Sequence, residues 1–212
     1  MTSQRADPWF EDMYARAAND LERIPWARLA PRPELIRWLD RHPPASGTPA
    51  LVVACGLGDD AEELARRGCQ VEAFDLSPSA IATARRRFPA STVRYRVADL
   101  FALPADWAGR FAIAVEVLTV QSLPPEAHQD AIAAVTRCVA PGGHLLVRTA
   151  VRADNEPSPT RPWPLRHAEL RWFEADGLAE VARCASEDGV FLHLAFRRSE
   201  VADETATRAR RS

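Results

Sequence analysis

The 212-residue chain contains no lysine; all 27 of its basic residues are arginine. A lysine Schiff base and the lysine of a phosphate-binding P-loop are therefore both excluded. Cysteine is scarce, and Cys55, Cys69, Cys138 and Cys184 stand too far apart to form a CxxC pair. Neither a zinc site nor a disulfide framework is expected, and the pattern suits a reducing compartment. No apolar run approaches the length of a membrane span, and the start, MTSQRADPWFED, lacks an apolar leader. There is no basic surplus either: the formal net charge is -2, which gives nucleic acid nothing to bind. What remains is the balance of a globular domain, 47% hydrophobic and 26% charged, long enough to bury a full core. The reading is a single cytoplasmic domain, monomer or homodimer, with no membrane, nucleic-acid or metal partner.

The hydrophobic pattern then divides the chain. Two helical patterns, 9–18 and 33–41, are joined around Pro25-Trp26 and followed by a turn-rich connector, 43–49. A short apolar run at 50–54 reads as a buried parallel strand. It leads into a helix at 60–67 closed by Gly68. A strand at 71–74 precedes a helix at 79–88 that opens on the N-cap candidate Ser77 and Pro78. Strands follow at 93–98 and 111–115, then a helix at 126–139 ended by Pro141-Gly142-Gly143. A strand at 144–151, a Pro-rich loop at 155–165, a short helix at 167–175, and strands at 179–185 and 190–197 complete the pattern. The expected fold is α/β, a Rossmann-like seven-stranded, mostly parallel sheet with helices on both faces and a short helical cap. Its domain spans 1–198, with cap 8–42, core 50–198 and a polar tail 199–212. Ligands of such sheets bind at the carboxyl ends of the strands.

The residues at those ends carry the chemistry. The first strand runs into Cys55-Gly56-Leu57-Gly58-Asp59-Asp60, where two glycines permit a sharp turn and close approach to a ligand. Asp59 and Asp60 would set two like charges against a pyrophosphate, whereas S-adenosylmethionine (SAM) has no phosphate and is cationic. Asp75 ends the second strand, where an acid can accept both ribose hydroxyls; its alternative is a turn cap. Asp99-Leu100 ends the third, where a carboxylate can accept the adenine amine and the next N–H can meet a ring nitrogen. Glu116 ends the fourth, after a wholly apolar strand. Asp75 and Asp99 are expected at the sheet edge facing the ligand. Replacing either by Ala should then cost about 1.5–3 kcal/mol of SAM binding and spare the fold.

On these residues the chain resembles the class I SAM-dependent methyltransferases, and within them the thiopurine, thiol and halide branch with its bacterial relatives. The similar stretches are Leu51 through Asp60, Ala73-Phe74-Asp75-Leu76-Ser77, Ala98-Asp99-Leu100-Phe101, and Val139 through Leu146. The resemblance implies that Ala54 and Gly56 line the methionine and ribose part, Asp75 and Leu76 the ribose and adenine. It also implies that Asp99 and Leu100 hold adenine, Glu116 holds the amino-acid end, and Trp26 covers the cofactor from the cap with help from Tyr14. Gly58 and Asp60 complete the turn. Two departures stand out: Ala54 replaces the first glycine of the usual GxGxG turn, and Val52 replaces an acid that much of this branch also lacks.

Methyl transfer is an in-line displacement at an activated carbon, so position and exclusion of water matter most. No catalytic base is evident. His42, His128 and His144 read as structural or solvated; Tyr14, Thr119, Gln121, Arg152 and His167 are candidates for the acceptor side. The expected function is methyl transfer to a small thiol, amine, hydroxyl or halide acceptor, with S-adenosylhomocysteine (SAH) as product. A SAM-binding protein without catalysis and a nicotinamide-dependent oxidoreductase are the alternatives.

Overall fold

The computed structural model describes residues 8–17, 20–157 and 161–200; most of the tail expected at 199–212 lies outside them. The chain divides into two compact units, 1–103 and 104–212.

The first unit carries α1 (Pro8–Arg16), α2 (Pro33–Arg41), β1 (Pro49–Val53), α3 (Asp59–Arg66), β2 (Gln70–Asp75), α4 (Pro78–Arg87) and β3 (Arg94–Val97). β1 pairs with β2 and β2 with β3, both in parallel, with Asp75 opposite Val97. Parallel neighbours need crossovers, and α3 and α4 supply them, each packed on the strands it connects. Local chemistry sets the boundaries. The Ser77 hydroxyl accepts the Ala80 N–H at 2.9 Å and Pro78 occupies the first turn of α4. α2 buries only Leu35 and Leu39, the i and i+4 positions of one face. Leu39 is fully buried, as are Leu51 and Leu64, and each such side chain contributes about 1.5–3 kcal/mol. Tyr14, Ala17, Ile24, Leu57 and Ala80 form a separate core cluster that seats α1.

The second unit carries β4 (Phe111–Val117), α5 (His128–Arg137), β5 (Val139–Arg152), β6 (Leu165–Arg166), a run of 3-10 turns over His167–Gly177, β7 (Leu178–Ala185) and β8 (Phe191–Arg198). β4 lies parallel to β5, while β8 runs antiparallel to both β5 and β7. Within the two units and among the described residues, four of the six strand pairings are parallel. The fold class is thus the expected α/β with a mostly parallel sheet.

Three local differences have physical causes. Pro141-Gly142-Gly143 lies inside β5: the register jumps from Phe111↔Val139 to Ile113↔His144, so the segment bulges without ending the strand. Only glycine fits at 143, since a Cβ there would lie 2.9–3.1 Å from three backbone oxygens. The two-residue β6, parallel to β5, adds an eighth strand that no periodicity could signal. The helix expected at 167–175 is a 3-10 run instead. No helix among the described residues is long and apolar enough to cross a membrane.

Candidate functional site

In the first unit, β1 and α3 are linked by a turn built on unusual backbone. Ala54, Gly56 and Gly58 all have positive φ, +44°, +53° and +92°. Glycine adopts this region freely, but an alanine does not. Ala54 therefore holds strain where the usual motif has glycine, and Ala54→Gly is expected to stabilise the protein by about 1 kcal/mol. Urea unfolding checks this; an unchanged or lower midpoint would show that the strain is absent.

The glycines are also required for space. A Cβ on Gly56 would lie 2.8 Å from the Tyr14 hydroxyl, and one on Gly58 would collide with the Tyr95 hydroxyl. Tyr14 thus reaches the turn from α1. Trp26 stands behind it, donating from Nε1 to Tyr14 Oη at 2.9 Å and packing on Trp9 and Phe10 at ring distances of 5.5 and 5.7 Å. Of the two cap aromatics expected near the ligand, Tyr14 is the one at the glycine turn. Burial and the Asp75 carboxylate hold its hydroxyl in the neutral form. Burial first and Asp75 second also push the Cys55 thiol far up, which leaves it unreactive.

Asp75 is buried, and both of its oxygens are in use: Oδ2 accepts the Gly56 N–H and Oδ1 the Ser77 N–H, each at 2.9 Å. Burial raises its pKa, while these backbone bonds oppose the rise. This corrects the expectation of an acid merely facing a ligand at the sheet edge. Asp75 ties the glycine turn to the start of α4, and with the Leu76 N–H as a third backbone donor the carboxylate keeps about one lone pair for a ligand. Asp99 is half-buried and Oδ1 accepts the Phe101 N–H at 2.9 Å; Leu100 behind it is buried. Leu76 and Val97, at the ends of β2 and β3, are 40% and 52% exposed, an apolar pair flanking the two acids.

The two acids of the turn do not stand bare. Asp59 receives both terminal nitrogens of Arg87 at 2.7 and 2.8 Å. Asp60 accepts the Arg32 N–H at 2.8 Å with the guanidinium 3.7 Å away, although burial still raises its pKa. Paired with Arg87 and Arg32, these acids repel a pyrophosphate much less than two bare carboxylates would. Sequence reasoning also missed Glu11. Its carboxylate grips α4 through Ser77 Oγ (2.5 Å), Ser79 Oγ (2.5 Å) and Ser79 N (3.2 Å), bonds that lower its pKa against the opposing effect of burial. The acid in α1 and the Ser77-Pro78-Ser79 start of α4 are both visible in the sequence, but 66 residues separate the partners.

In the second unit, Glu116 is fully buried at the end of β4. Oε1 accepts the Thr119 and Val120 N–H groups at 2.6 and 3.1 Å, and Oε2 has no partner among the described residues. Burial pushes its pKa up to about 7 against those bonds. Leu118, within the same turn, has φ +61°. Gln121 is buried and holds three segments together: its side-chain oxygen accepts Thr149 Oγ1 and Ala150 N, and its carbonyl accepts Trp163 N at 2.7 Å. Arg152 likewise donates to backbone carbonyls of the Pro-rich loop, at Pro164 and Glu156. Both candidates for the acceptor side are thus occupied in bracing that loop. His167 is exposed at the start of the 3-10 run. His128 is a core residue, held by the Leu123 carbonyl at 2.9 Å and Glu169 at 3.3 Å. His42 stacks on Trp38. Among the described residues no group of acids, cysteines and histidines is placed to hold a metal ion.

Residues 50–143 match the family model described as "Methyltransferase domain". The ubiquinone biosynthesis O-methyltransferase of Azotobacter vinelandii is 32% identical over 122 residues, 57% of this chain and 52% of that protein. Its counterpart from Xylella fastidiosa is 35% identical over 123 residues, 57% of this chain and 49% of that protein. The chain spans about half the length of the curated relatives it matches. Among solved structures, the N-methyltransferase NodS from Bradyrhizobium japonicum WM9, in complex with SAH, superposes with a TM-score of 0.67 at 23% identity, covering 89% of this chain and 97% of that one. These likenesses establish a Rossmann-like methyltransferase fold. They do not single out the thiopurine, thiol and halide branch.

Proposed function

We propose that the chain is a class I SAM-dependent methyltransferase acting on a small molecule. The observation that carries the reading is the pair of acids at the ends of adjacent parallel strands, Asp75 and Asp99, with exposed Leu76 and Val97 beside them. The donor set fits the cofactor: carboxylates for ribose hydroxyls and an exocyclic amine, apolar side chains for the faces of a purine, and a glycine turn a Cβ would fill. Bound there, SAM supplies a methyl carbon already activated by its sulfonium. Asp75 accepts a ribose hydroxyl on its remaining lone pair while its backbone bonds keep the carboxylate oriented. Asp99 accepts the adenine amine, and Tyr14 with Trp26 behind it shields the turn from water. Glu11 holds α1, and with it this cover, against α4.

The acceptor is inferred to be a small thiol, amine, hydroxyl or halide. A soft nucleophile needs little help from a base, which agrees with His128 being held by Leu123 and Glu169 and His42 by Trp38. That the curated relatives are named O-methyltransferases supports keeping hydroxyl compounds in the same panel. The test is thermal unfolding with saturating SAM, SAH or NAD(P)H, followed by methyl transfer to that panel. SAM and SAH are expected to raise the melting temperature by several degrees, and NAD(P)H to leave it unchanged. A rise with NAD(P)H alone would make the protein an oxidoreductase. The arginine-paired acids keep that comparison necessary. Cofactor binding without transfer to any acceptor would favour a non-catalytic SAM-binding protein.

A further inference from the structure

Leu57 stands between the two glycines of the turn after β1, and both of its ends are engaged. Its side chain is buried in the cluster with Tyr14, Ala17, Ile24 and Ala80. Its carbonyl accepts Arg87 Nη1 at 2.6 Å, and the same guanidinium grips the Asp59 carboxylate with both terminal nitrogens. Arg87 is the last residue of α4, so three charge-assisted bonds run from the end of that helix to the turn. Its neighbours in the basic run serve elsewhere: Arg85 donates to the Tyr95 carbonyl and Arg86 to Thr83 Oγ1. The Arg87 and Asp59 side chains are only 19% and 16% exposed, which spares the pair much of the screening that weakens surface ion pairs.

The carbonyl bond bears on ligand binding through the residue that follows it. Gly58 has φ +92°, and glycine populates negative φ as readily. The Leu57–Gly58 peptide plane can therefore turn over with little cost in Gly58 itself, exchanging the carbonyl and N–H that the turn presents. Two bonds oppose this. The Gly58 N–H donates to the Cys55 carbonyl at 3.0 Å, and Arg87 draws the Leu57 carbonyl toward α4. The first is a neutral bond inside the turn; the second is charge-assisted and anchored on a helix.

We propose that Arg87 is a positioning residue for the cofactor: it locks the Leu57–Gly58 peptide in the one orientation in which the turn receives SAM. The inference rests on the proposed function for the identity of the ligand and does not require Arg87 to touch it. A turn that samples both orientations is competent for only part of the time, and apparent affinity falls by that fraction. Charge alone acts the other way, because removing a cation near the turn and unpairing Asp59 would tighten binding of cationic SAM. A loss of affinity therefore reports position.

The experiment measures SAM and SAH affinity by calorimetry, stability by urea unfolding, and amide exchange at Gly58 by NMR. The proteins are wild type, Arg87→Gln, Arg87→Lys and a control, Ile132→Ala, which opens a cavity in the core of the second unit. Arg87→Gln is expected to bind both ligands about tenfold more weakly and to exchange the Gly58 amide faster. Arg87→Lys can reach one acceptor but cannot fork across two, and should lose only about threefold. Ile132→Ala should lose at least as much stability as Arg87→Gln and keep wild-type affinity and exchange. Wild-type affinity in Arg87→Gln, or an equal loss of affinity in Ile132→Ala, overturns the inference and leaves the methyltransferase reading standing. Should Arg87→Gln fail to fold, Arg87→Lys decides alone, and wild-type affinity there overturns the inference. Failure of the wild type to bind SAM or SAH overturns both.

Discussion

Asp75→Ala is expected to lose about 3 kcal/mol of unfolding free energy together with measurable SAM binding. The stability loss follows from geometry: the carboxylate accepts the Gly56 and Ser77 N–H groups inside the protein, and a methyl group accepts nothing. Each buried donor left without an acceptor costs about 1–3 kcal/mol. The binding loss has two parts, removal of the ribose acceptor and release of the glycine turn that Asp75 holds in place. Asp99→Ala separates them. Asp99 is half-buried and satisfies one backbone N–H, so its removal should weaken SAM binding by about 1.5–3 kcal/mol with little change in stability. Urea denaturation and calorimetry on both variants give the comparison. A stability for Asp75→Ala within about 0.5 kcal/mol of wild type would mean that water reaches those two N–H groups.

The second large effect is in the pH dependence of stability. The carboxyl of Glu116 titrates near 4.5 when unfolded and is raised to about 7 in the folded protein by burial. Below about pH 4.5 it is protonated in both states and its contribution is complete. Between about pH 4.5 and 7 the unfolded chain ionises while the folded protein keeps the proton, so stability falls as pH rises and levels off above the folded pKa. The span corresponds to about 3 kcal/mol. Other groups titrate over the same range, so the quantity to measure is the difference between wild type and Glu116→Gln in chemical unfolding at several pH values. The variant should gain on the wild type by about that amount from acid to neutral pH. Parallel curves would show that the carboxyl is ionised and paired inside the fold.

The sequence by itself determined the order and type of nearly all elements. Period-2 and period-3.6 patterns set α2 at 33–41 to the residue and placed β1, β2, α3 and α4 within a residue or two, because each depends on its own neighbours. Acids at strand ends and glycines in the first turn were equally legible, since both are local. Contacts between distant residues were decided by tertiary structure alone. Arg87 lies 28 residues from Asp59 and Glu11 lies 66 from Ser77, and no periodicity relates them. Folding thus turned two apparently bare acids into ion pairs, and it made Asp75 a brace for the turn as well as a ligand candidate. It also set the protonation of Glu116. A carboxyl's charge depends on the groups that surround it in space, and here burial in an apolar strand end outweighs two backbone hydrogen bonds.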